Sequence, residues 1–236
     1  MGLDIYVGTL TRYYSGQWET IAARTAREQG WSFETVRAHN PDDAVTDPDQ
    51  LAPAVASWQA AISEALGDNL SEPLGWQEGM TPPYFTDKPD WDGLGGLLLW
   101  AAYLEQPGLP RPKRYTKDWQ HDPAFAASTA ENFQSPYVRI LTSELWLPGN
   151  AEFAFNAPDM TGTVVLMSFV SELQRALREL NERTWQASLS DIAVWRGNGP
   201  VDVPDSLELR AQFGFAVFFT LANLAVENRL PMRLDY

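Results

Sequence analysis

A chain of 236 residues, 44% hydrophobic and 20% charged, has the make-up of a globular protein and the length of one large domain or two small ones. Its 31 acids against 17 bases give a formal net charge of −14, which disfavours nucleic acid and anionic membranes as partners. It has no cysteine, which excludes disulfides, thiolate metal sites and cysteine nucleophiles.

The opening has no basic segment followed by an apolar run, so no secretory signal is expected and the cytoplasm is the expected location. Leu3, Ile5 and Val7 alternate with Asp4 and Tyr6, a period of two that predicts a strand closed by Gly8. Trp18, Ile21, Ala22 and Thr25 predict a helix over 17–29 that stops at Gly30. Asp47 is placed to cap the next helix, with Pro48 at its first position and Gln50 at capping-box spacing. Leu51, Val55, Trp58, Ile62 and Leu66 form its apolar stripe. A loop rich in Pro, Gly and acids follows over 68–89, then a helix over 91–106 capped by Asp90. Gly95 and Gly96 in that helix imply close packing against a neighbour.

The basic island of Arg111, Lys113, Arg114 and Lys117 is too rich in proline for a helix and reads as a loop. A strand is expected over 137–141 and a hairpin over 152–167, turning at Pro158-Asp159-Met160-Thr161-Gly162. Ser168 is the expected cap of an amphipathic helix through Val170, Leu173, Leu177 and Leu180. Asp205 and Glu208 have capping-box spacing before a last helix that is apolar nearly all round over 213–226. Thr220 and Asn223 interrupt it, which suits a core helix better than a membrane span of ~20 apolar residues. The expected fold is α+β: one compact domain over 1–236 with a mixed or antiparallel sheet, amphipathic helices and one buried C-terminal helix. If the chain divides, it divides near 107–117.

Catalytic grammar is sparse. No dinucleotide fingerprint, Walker motif, G-x-S-x-G or HExxH occurs. His39 and His121 are the two histidines, both in turn-like contexts. Counted from Asp42 or Asp43, the acids of 42–49 lack the Gly and Glu that an EF-hand needs at its sixth and twelfth positions. No cofactor and no metal are expected.

No Lys or Arg lies between Arg37 and Lys88, a stretch that carries nine acids. Asp42, Asp43, Asp47, Asp49, Glu64, Asp68 and Glu72 therefore make the candidate docking surface for a basic protein partner. The alternative is a carboxylate-based hydrolase or a small-ligand or carbohydrate binder. Such a site needs acids beside aromatic rings, and Asp4, Tyr6, Glu144, Trp146 and Glu152 are its candidates.

The strings MGLDIYVGTLTRYYSG, ELWLPG and LPMRLDY resemble a family of uncharacterised bacterial cytoplasmic proteins. The resemblance brings no activity, ligand or catalytic residue with it. Size and charge are also those of small acidic proteins that neutralise toxins, an analogy that carries no motif.

Overall fold

The computed structural model describes residues 2–32, 47–199 and 205–236. The alternating opening forms β1 (Asp4–Val7), and Thr9 caps the short α1 (Leu10–Tyr14). The helix expected over 17–29 starts later. Thr20 accepts a hydrogen bond from the Ala23 N–H, so α2 spans Ile21–Glu28 and Trp18 stays outside it. Asp47 does cap α3 (Pro48–Leu66), which buries Leu51, Val55 and Ile62. The loop over 68–89 contains a strand that its composition hides, β2 (Phe85–Asp87), which leads into α4 (Asp90–Glu105).

After α5 (Pro123–Ser128) comes a correction. Residues 138–141 are the short helix α6 (Val138–Leu141), not a strand. One Glu105 oxygen accepts from the N–H groups of Tyr137 and Val138 and from the Ser135 hydroxyl, which satisfies the donors a helix start leaves open. The strand is β3 (Leu145–Leu147). The expected hairpin is present as β4 (Phe155–Pro158) and β5 (Val164–Phe169). Ser168 lies buried inside β5 rather than capping α7 (Val170–Arg183), whose N-cap position falls to Phe169. Then follow α8 (Leu189–Asn198), α9 (Leu207–Asn228), which Ser206 rather than Asp205 caps, and β6 (Met232–Asp235).

The sheet order is β2-β1-β6-β3-β5-β4, antiparallel except for the parallel pair β3 and β5. Cross-strand partners share a face. Ile5, Val7, Met232, Leu234 and Trp146 therefore point to one side, where they join α4, α7 and α9 in the main core. Asp4, Tyr6, Arg233, Asp235, Leu145, Leu147, Met167 and Phe169 point to the other, beneath α1, α2 and α3. The result is a single α+β domain of three layers.

The close packing implied by the glycines is between α4 and α9. A methyl on Gly96 would fall 2.8 Å from the Ala211 nitrogen, and one on Gly214 would run into the Gly93 carbonyl. α9 is long and apolar enough to meet the composition test for a membrane span, yet Phe213, Phe215, Phe218 and Leu221 are buried inside the domain.

Candidate functional site

The acidic surface is built on α3 and the turn behind it. The inward stripe of α3 joins Leu147, Met167, Phe169 and Leu74 in a filled apolar layer. Two further bonds fix the helix: the Trp58 indole donates to the Pro158 carbonyl at 2.9 Å, and the Leu74 N–H donates to Ser63 Oγ at 2.9 Å. Asp49 lies in the first turn, where the helix dipole favours a negative charge. Asp49 and Glu64 are about 22 Å apart along the axis and about 60° apart around it, so they share one broad side.

Asp68, in a short 3-10 turn, and Glu72 extend the surface. The exposed positions between the acids are mostly small, among them Ala54, Ala56, Ala60 and Ala61. Asp47, Asp49, Glu64, Asp68 and Glu72 make no ion pair with a described residue. Asp42, Asp43 and His39 lie outside the described residues. Charges spaced this widely make a field rather than a nest. Among the described residues no three His, Asp or Glu side chains are grouped to hold a metal ion.

The pocket candidates do not converge. Trp146 is fully buried on the α4/α9 side, donating to the Ile140 carbonyl and packing edge-on against Phe218. Glu144 accepts from the Tyr236 hydroxyl at 2.7 Å, and Glu152 is exposed. Tyr6 is buried among Tyr13, Trp18 and Tyr84. Asp4 is buried on the same sheet face. Burial raises its carboxyl pKa above the usual range, against the pull of Lys88 and of the Ile21 N–H, while Asp235 and Asp90 push it further up. His121 bonds Asp118 at 2.8 Å with both side chains in solvent.

Sequence reasoning missed a polar centre on this face. Arg233 donates to Asp159 Oδ2 and to the Tyr14 hydroxyl, both at 2.8 Å, with its guanidinium against the Tyr13 and Tyr14 rings. The Tyr13 hydroxyl donates to Asp235 at 2.7 Å. Burial raises the phenol pKa of Tyr13 and Tyr14, outweighing the opposing charge of Arg233, so both remain protonated. Burial also pushes the Asp159 carboxyl upward. Hydrogen bonds from Thr161 and Arg233, with the charge of Arg233, outweigh that and hold it below its ordinary value.

Beside this centre, Glu78 accepts from the Leu10 and Thr11 N–H groups and from the Thr11 hydroxyl, while Arg12 donates to the Met80 and Pro82 carbonyls. These bonds clamp the loop over 76–84 to α1. The charged groups of the centre are each engaged by internal hydrogen bonds, so its chemistry is that of a lock. The signal that marked it was the set of strings carrying the resemblance. TRYY and RLDY meet here through Tyr13–Asp235 and Tyr14–Arg233, while the Glu144 of ELWLPG bonds Tyr236 on the other face of the sheet. Compared with protein-family models, curated proteins and solved structures, the chain matches none.

Proposed function

We propose that this is a cytoplasmic binding protein whose acidic surface on α3 and the turn behind it docks a basic protein, in the manner of proteins that neutralise toxins. One observation carries the reading. The acids of 47–72 face solvent unpaired above a filled apolar layer, whereas Asp159, Glu78, Glu105 and Glu172 inside the fold are each engaged by internal donors. Unpaired charge of one sign steers an oppositely charged partner from a distance and acts mainly on the association rate. The carboxylate-pocket alternative has no such support, because Trp146 is fully buried with its indole spent on the Ile140 carbonyl and Glu144 is already engaged by the Tyr236 hydroxyl.

The test is capture from lysate by the wild type and by a triple variant, Asp49→Asn with Glu64→Gln and Asp68→Asn, followed by association kinetics of the captured protein. A basic protein should be held by the wild type and weakly by the variant. Its on-rate should fall with salt as the Debye length shrinks from ~10 Å at 0.1 M to ~3 Å at 1 M. Dissociation should change little. An on-rate indifferent to both salt and substitution would leave the surface a solubilising one and remove this function.

A further inference from the structure

The parallel pair β3 and β5 ends at a cleft of about 350 Å³. Ligands settle past the carboxyl ends of parallel strands because the connecting segments part there and helix starts point inward. Four segments line this cleft: 70–75 behind α3, 148–150 after β3, the start of α7, and the end of α9. Its floor is fixed. The Ser171 hydroxyl donates to the Gly149 carbonyl at 2.6 Å, and a methyl on Gly149 would fall 2.8 Å from the Phe169 ring, so the β3 end sits flush on the sheet.

The cleft is electrically two-sided. Glu72 comes from the α3 layer and Arg229 from the end of α9, in the layer on the other side of the sheet. Both are exposed, and neither has an ion pair or side-chain hydrogen bond with a described residue. Arg229 is held at φ 53°, a left-handed backbone that favours glycine or asparagine at a helix end. Keeping a long cation in such a conformation is the kind of local strain found at ligand clamps. The start of α7 adds open N–H groups, since no side chain caps it. The one buried acid of that turn, Glu172, is already matched by Arg175. Leu70, Leu74, Pro148 and Val226 supply apolar wall.

We infer that this cleft binds a small zwitterion, an α-amino acid with an apolar side chain. Its carboxylate meets Arg229 and the first turn of α7, its ammonium meets Glu72, and its side chain lies on the apolar wall. The volume is near the lower end of ligand sites, about 300–1,000 Å³, which suits a metabolite rather than a polymer.

The test is a titration of the full chain with L-leucine and L-phenylalanine, followed by amide NMR shifts and calorimetry. N-acetyl-leucine, which lacks the ammonium, and leucinamide, which lacks the carboxylate, are the comparison ligands. Shifts should centre on Gly149 and Ser171. Arg229→Gln should weaken the amino acids and N-acetyl-leucine about tenfold and leave leucinamide unchanged. Glu72→Gln should weaken the amino acids and leucinamide and leave N-acetyl-leucine unchanged. Both residues are exposed, so the fold should tolerate the changes. No shift at about 10 mM of either amino acid, or amino-acid affinity in both variants unchanged from wild type, would overturn the assignment. The triple variant that tests partner docking leaves Glu72 intact, so the two outcomes are read separately.

Discussion

Two sets of carboxylates lie on the same side of the sheet, and they behave in opposite ways. Asp159, Asp235 and Glu78 are drawn inward, each taking hydrogen bonds from tyrosine, arginine, threonine or backbone donors. Asp49, Glu64 and Asp68 stand outward on α3 and its turn with no internal cation. The donors of Asp159 and Glu78 come from distant stretches, Arg233 for the one and the start of α1 for the other, whereas the outer acids stand among Ala, Ser and Gln with no such donor brought to them. An acid's role here follows from which donors reach it, not from how densely acids are strung along the chain.

The comparison breaks hardest at Asp159. Asp159→Asn leaves the buried guanidinium of Arg233 without its counter-charge, which should cost about 3–5 kcal/mol in urea unfolding at pH 7. The carboxyl pKa is depressed in the fold, so its contribution is present above the unfolded value of about 3.9 and is lost as pH falls through the folded one. The wild-type and variant stability curves should therefore converge in acid. A loss below about 1 kcal/mol at pH 7 would mean that the inner acids are no more structural than the outer ones.

Glu78→Ala should come next, at about 1–3 kcal/mol, because it orphans two N–H groups at the start of α1. Hydrogen exchange should quicken over 76–84 and stay unchanged in α7. Uniform quickening would show that the loop is not a separately clamped unit. The smallest effect belongs to the outer set. The triple variant Asp49→Asn, Glu64→Gln, Asp68→Asn should stay within about 0.5 kcal/mol of wild type in the same urea assay. A larger loss would give those acids a role in the fold and blur the contrast.

Much of the fold was legible where local grammar is decisive. Ile5 and Val7 set β1, Asp47-Pro48 set the start of α3, and the Asp159–Gly162 turn set the hairpin. The misreadings occurred where a distant residue decides the local structure. Val138–Leu141 has a strand-like composition, but the Glu105 carboxylate, some thirty residues earlier, turns it into a helix. β6 carries Arg233 and Asp235, which look wrong for a central strand until Asp159, Tyr13 and Tyr14 are seen to receive them. The acidic stretch was visible as charge. Whether its charges were paired was not, since pairing depends on which cations the fold brings near. The cleft had no local signal at all, being assembled from four separate segments.

The position of β6 also sets a timetable. It pairs with β1 through residues as distant as Asp4 and Asp235, and it stands between β1 and β3. At a synthesis rate of ~5–20 residues per second, β1 is made roughly 10–50 s before β6 exists. Until then β1 and β3 each show an open edge that a stray strand can join. The two arginine–tyrosine contacts of Arg233 form only when β6 arrives, so the polar centre closes at the same moment as the sheet. Assembly of this domain thus ends with the step that joins its two halves, and crowded, half-made copies are most vulnerable just before it.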